Sequence, residues 1–153
     1  MPDTTISDTF VWPKHLPVQR ARIARPTNHF EAMVAFYCQL LGLPQMHRFD
    51  DHDGYSGVMV GLSDERYHLE LVTHHDGIDT QTPNREDLLV FYIDDQVAIN
   101  ALIARLISQG FRPVEPKNPY WQLGGVSFVD PDGWGVVFMN MTEWQRSLAK
   151  RTL

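Results

Sequence analysis

Residues Arg66–His75 read RYHLELVTHH and place three histidines and a glutamate within ten positions. His68 and Glu70 are two apart, so on a β-strand their side chains leave the same face. Imidazole beside carboxylate is a donor set for a divalent metal ion. The same two groups, without a metal, are candidate general bases. Of the other histidines, His29 opens a helical stretch, and His47 and His52 lie near an acidic turn, His52 within it. That turn, DDHDG (Asp50–Gly54), has calcium-loop composition, but Phe49 and Val60 occupy the first and last ligand positions of an EF-hand register. An acidic β-turn is therefore the expectation there, and solvated loop residues the expectation for His74 and His75. The chain has no Gly-x-Ser-x-Gly elbow and no glycine-rich phosphate loop. Its one cysteine, Cys38, excludes an internal disulfide and a thiolate zinc site and reads as a packing residue.

The elements that must position His68 and Glu70 follow from composition and period. The 153 residues are 43% hydrophobic and 21% charged, an ordinary balance for one globular domain. A net charge of −6 has the wrong sign for a nucleic-acid backbone or an anionic membrane surface. The N-terminus MPDTTISDTF has neither the basic start nor the apolar run of a signal peptide, and no stretch approaches a membrane span. A cytoplasmic protein is expected, with no nucleic-acid or membrane partner.

Residues 1–17 read as an extended arm. VQRARIA (Val18–Ala24) alternates as a strand closed by Pro26. NHFEAMVAFYCQLLG changes to helical spacing, with Asn28 as the expected cap, Glu31 three residues on, and Gly42 as the stop. PQMHRF, YSGVMVGL and RYHLELV follow as strands. A polar linker over 74–86 leads to a second series: strand DLLVFYI, helix DDQVAINALIARLISQG capped by Asp94 or Asp95, and strands FRPV, GGVSFV and WGVVFMN. Both halves are β-α-β-β-β, and Gly42 and Gly57-Val58 recur 68 residues on as Gly110 and Gly125-Val126. The expected fold class is α+β, with module one over 18–73, module two over 87–141, both in one domain over 18–141, and a short amphipathic tail over 142–153.

Helix one ends FYCQLLGL (Phe36–Leu43) and the last hairpin reads FVDPDGWGVVF (Phe128–Phe138). In this order, on these elements and within a tandem repeat, the chain resembles the glyoxalase/bleomycin-resistance/extradiol-dioxygenase group, the vicinal oxygen chelate superfamily. The resemblance covers roughly Val18 to Met141. It implies two modules, each curving a four-stranded sheet, with helices on one face and a shared cavity on the other. Modules of this superfamily pair within one chain or between two, so a homodimer is a candidate partner state. Given that topology, alternation sends Tyr67, Leu69, Leu71, Ala21 and Ile23 under the helix. Arg20, Arg22, His68, Glu70 and Val72 then face the cavity, with Leu88, Val90 and Tyr92 opposite.

Metal-dependent members of the superfamily draw four ligands from the first and last strands of both modules. The resemblance carries these positions onto Arg22, Glu70, Leu88 (Val90 if the register slips) and Val137, so one of four keeps a ligand. A guanidinium has no free lone pair, and leucine and valine have none at all. The expectation is an Arg22–Glu70 ion pair within about 6 Å in place of the metal, no metal, and no cofactor. KNPYWQLGG (Lys117–Gly125) adds Tyr120 and Trp121 as an aromatic wall or a lid. Trp134 reads as structural. The ligand-binding candidates are thus Arg20, Arg22, His68, Glu70, Tyr92, Tyr120 and Trp121, and the catalytic candidates are Glu70 and His68. The resemblance and these losses imply a metal-free binder of a small anionic or aromatic molecule. The alternatives are a lyase, isomerase or dioxygenase with a displaced metal, lactoylglutathione-lyase-like among them, and a structural module whose cavity is filled.

Overall fold

The computed structural model describes residues 11–64 and 66–151. The first ten residues of the expected arm and the last two of the tail lie outside the described residues. Module one runs β1 (Ala21–Pro26), α1 (Phe30–Val34) continued by a π-helical turn (Ala35–Leu40), β2 (Gln45–His52), β3 (Tyr55–Gly61) and β4 (Tyr67–His74). Its sheet order is β1-β4-β3-β2, with β1 parallel to β4 and the other pairs antiparallel. Module two runs β5 (Leu88–Tyr92), α2 (Gln96–Ser108), a 3-10 turn (Pro119–Gln122), β6 (Gly125–Val129) and β7 (Gly135–Met139), in sheet order β5-β7-β6. A final helix, α3 (Met141–Arg151), follows. The molecule is a mixed α+β fold of two sheets and their helices.

One face of each sheet feeds a continuous core. Val58, Val60, Leu69 and Leu71 meet Met33, Phe36 and Tyr37, and the cluster continues through Ile99, Leu102, Leu106, Phe128, Val136 and Phe138 of module two. Leu89, Phe91 and Ile93 pack against it, as alternation requires. A polar link reinforces the junction. The Tyr37 hydroxyl donates to Asp130 Oδ2 at 2.7 Å, and Asp130 Oδ1 accepts the backbone N–H groups of Asp132 and Trp134. Burial raises the Tyr37 phenol well above its ordinary value, and the adjacent Asp130 charge adds to the rise. Both modules therefore use their helical sides to hold each other, and the opposite sheet faces carry Arg22, His68 and Glu70 in module one and Leu88, Val90 and Val137 in module two.

Several local expectations need correction. Helix one is not capped by Asn28: that side chain bonds both the N–H and the C=O of Ile78, tying the linker down. His29 occupies the cap position without a side-chain cap bond, and Glu31 pairs with Arg48 at 2.8 Å. After one α-turn the helix widens, Leu41 N–H reaching Phe36 C=O at 3.0 Å, before Gly42 ends it at φ +84°. Asp95, rather than Asp94, caps α2 by accepting from Ala98 N–H. β1 starts at Ala21 and includes Pro26, which an edge strand tolerates at its end. Ile23, expected under the helix, is 56% exposed because β1 is that edge; Tyr67, at the start of β4, is also exposed. FRPV shrinks to one bridge, Val114 to Ser127, since Pro113 cannot donate to a ladder. Module two thus has three strands where four were expected. The tail is a helix, and β4 extends through His74, so this histidine belongs to the strand and not to the linker.

Candidate functional site

On the sheet face of module one away from its helix, strand register builds the site row by row. Arg22 is opposite His68 on the parallel pair, and Ala24 is opposite Glu70. Across β4 the rows continue to Gly61 and Met59, and Met59 leads on to His47. Arg22 Nε–H donates to His68 Nε2 at 2.9 Å, and Arg22 Nη1 donates to Glu70 Oε2 at 3.1 Å. One guanidinium therefore bridges two residues that alternate on a single strand. His68 is 6% exposed and its Nδ1 is buried without a partner. Because Nε2 accepts from Arg22, the neutral ring carries its proton on Nδ1. His68 thus positions Arg22, and its basic lone pair is already used. Glu70 keeps carboxylate lone pairs for chemistry. The Arg22 side chain remains 47% exposed, and its Nη2 hydrogens are directed to none of these partners.

On the opposite face of module two, where Val137 and Met139 are fully buried, a separate groove of about 400 Å³ is lined by Arg85, Glu86, Leu88, Val90, Asn118 and Trp121. Leu88 and Val90 come from β5, and Trp121 from the 3-10 turn that Asn118 caps by accepting from Tyr120 N–H. Tyr120 is not part of that wall. It turns inward to 8% exposure, edge-on to Trp121 at 4.9 Å and 6.0 Å from Trp144. Tyr92 is 52% exposed; partial burial, and then the neighbouring Tyr120, raise its phenol above the ordinary value. Arg20 precedes β1 on the exposed surface, outside the Arg22 cluster. The expected single space is therefore two half-sites in one chain, Arg22–His68–Glu70 on one sheet and Leu88–Val90–Trp121 on the other. Sequence reasoning missed Arg85, Glu86 and Asn118. Only Asn118 carried a signal, as a capping residue before Pro119.

A larger cleft of about 740 Å³ lies between β1, the linker and the Asp130–Trp134 turn. There the Arg25 guanidinium sits 4.3 Å over the Trp134 ring, and His29 Nδ1 lies 2.7 Å from Asp132 Oδ1. These contacts tie module one to module two and agree with a structural Trp134. Cys38 is half-buried, and burial raises its thiol, which disfavours the reactive thiolate.

The metal position implied by the superfamily resemblance does not fit these residues. Arg22 sets a permanent cation 3.1 Å from Glu70, where a metal would have to approach that carboxylate. Leu88 lies in the other half-site, and Val137 is fully buried. Neither offers a donor atom.

Comparison with known proteins agrees with this architecture. Residues 21–72 match the YycE-like N-terminal domain, and residues 86–140 match the YycE-like C-terminal domain. The uncharacterised protein YycE of Bacillus subtilis is 44% identical over 119 residues, covering 78% of this chain and 86% of that protein. The chain belongs to the YycE-like family. A crystal structure of YycE from Bacillus subtilis, described as of unknown function and as a candidate glyoxalase/fosfomycin-resistance protein, superposes with a TM-score of 0.79 at 41% identity. That match covers 83% of this chain and 93% of the other. Glyoxalase I of Leishmania major shares the fold at TM-score 0.61 and 16% identity, over 88% and 94% of the two chains. TnmS3, an antibiotic binding protein from Streptomyces sp. CB03234, matches at TM-score 0.54 and 25% identity, over 80% and 93%. This YycE-like chain is therefore a member of the vicinal oxygen chelate superfamily, as its motifs implied. Among its described residues, no helix is long and apolar enough to cross a membrane.

Proposed function

We propose that this YycE-like protein binds a small planar molecule carrying an anionic or strongly accepting group, with Arg22 as the polar anchor and Trp121 as the apolar wall. The observation that carries this reading is the Arg22 guanidinium. It is held by His68 and Glu70 at two of its edges, with hydrogen-bond donors left over and half of its side chain exposed. The antibiotic-binding role of TnmS3, on the same fold, supports sequestration as the function class. No metal and no cofactor take part at the Glu70 position, because Arg22 already supplies the positive charge.

The two half-sites lie on different sheets of one chain. A homodimer in which module one of one copy covers module two of the other brings Arg22 and Trp121 onto one ligand. The test is a thermal-shift screen in chelator with planar aromatic carboxylates, naphthalene-2-carboxylate first, since a ligand that binds only the native state raises its melting temperature. A rise that Arg22→Ala and Trp121→Ala each remove supports the reading. The same rise in both variants refutes it.

A further inference from the structure

We propose that His74 and His75, supported by Asp76, form a site for one first-row divalent transition ion of the zinc or nickel class, at the rim of the module-one sheet. This site shares no residue with the Arg22 cluster and does not depend on the function proposed for it. His74 lies four positions beyond Glu70 on the same strand face, or about 13 Å at the usual strand rise.

Two turns distant in sequence build it. His74 closes β4, and His75 and Asp76 form the turn that follows. The β2–β3 turn, Asp53–Gly54, lies against them, with His75 N–H donating to Gly54 C=O at 3.0 Å. Gly54 has φ +85°, and a Cβ there would collide with His74 Nε2 and lie 2.8 Å from His75 Nε2. Both Nε2 atoms thus converge over one glycine, in space that a side chain would fill. The two imidazoles stack at 4.5 Å between centroids, and Tyr55 braces His74 edge-on at 4.7 Å. Ligand atoms from His74, His75 and Asp76 all lie within 4.8 Å of one another.

Hydrogen bonding sets which nitrogens are offered. His75 Nδ1 lies 2.8 Å from Asp76 Oδ1. With its proton held there by the carboxylate, the Nε2 lone pair is free, which is the arrangement found behind metal-bound histidines. His74 Nδ1 accepts Asp76 N–H at 3.1 Å, so the neutral ring carries its proton on Nε2. Ion uptake shifts that proton to Nδ1 and turns the exposed Asp76 N–H to water. Two imidazole nitrogens with water completing the shell suit zinc or nickel and not calcium or magnesium, which take oxygen.

The test is calorimetric titration of the full chain with Zn²⁺ and separately with Ni²⁺, alongside His74→Ala, His75→Ala and Asp76→Asn, with His52→Ala as control. One equivalent should bind, weakened roughly tenfold or more by either alanine variant and about tenfold by Asp76→Asn, and unchanged by His52→Ala. Histidine-ring NMR of the unaltered chain should show two imidazoles moving on Zn²⁺ addition, those of His74 and His75, with His68 still. Failure to bind one equivalent, binding indifferent to both alanine variants, or ring shifts at other histidines would each overturn the proposal.

Discussion

Arg22 meets His68 straight across the parallel β1–β4 pair and Glu70 one step further along, at 2.9 and 3.1 Å. Both contacts need a planar fork with donors on different edges. Arg22→Lys keeps the charge but cannot reach both partners from one ammonium. Its expected effect is a loss of affinity for naphthalene-2-carboxylate of roughly tenfold, about the weight of one charge-assisted bond. Stability should change by only about 1 kcal/mol, because Arg22 is half exposed and the lysine ammonium keeps a positive charge beside the mostly buried Glu70. Calorimetric titration and thermal melts check the two halves separately.

His68 acts on Arg22 through a single acceptor atom. His68→Gln retains a side-chain acceptor and should keep most of the affinity for the same probe. His68→Leu removes it and leaves Arg22 Nε–H without its partner, so affinity falls. Equal losses in the two variants would assign His68 to packing alone.

The Tyr37–Asp130 bond joins the modules where both groups are buried. Tyr37→Phe leaves one carboxylate oxygen without its donor, with an expected cost of about 1–3 kcal/mol by chemical denaturation. Ligand affinity at Arg22 should be unaffected.

Burial raises the Asp130 carboxyl above its ordinary 3.8, although Tyr37, two backbone N–H groups and Arg25 all pull the other way. The folded state therefore holds this proton more tightly than the unfolded state. The stability it contributes is fully present below the unfolded pKa and is lost as pH rises through the higher folded value. Melting temperature against pH, compared between the wild type and Asp130→Asn, should show the wild type gaining on the variant as pH falls through that window. A constant difference would contradict this.

Much of this site was legible in the sequence because period-two alternation is strict. Once RYHLELV is a strand, His68 and Glu70 must share a face, and the register with VQRARIA brings Arg22 into contact with both. Leu88 and Val90 likewise fall opposite Leu89 and Phe91. What alternation does not encode is how two sheets face each other. The helical sides of the modules fuse through Phe36, Tyr37, Leu102 and Leu106, so the opposite faces carry two half-sites and not one cavity. Local signals also competed. Asn28 had the chemistry of a cap but found Ile78, fifty residues away, and Tyr120 was drawn from the groove wall into the interior. The pairing of His74 and His75 with Gly54 depends on a turn twenty residues upstream, which no local pattern reveals.

The separation of the half-sites predicts concentration-dependent dimerisation. Sedimentation should show a dimer at micromolar concentrations, and naphthalene-2-carboxylate should favour it. Trp121→Ala should weaken that ligand effect while changing the monomer's stability little, since Trp121 is only partly buried.

The central claim is that Arg22 stands where the superfamily's metal would act. The most direct measurement is calorimetric titration of naphthalene-2-carboxylate into the wild type and into Arg22→Ala, each with and without excess chelator. The account predicts the same affinity in both buffers for the wild type and a loss of roughly tenfold or more in Arg22→Ala. Binding that chelator abolishes, or that survives unchanged without Arg22, would contradict it.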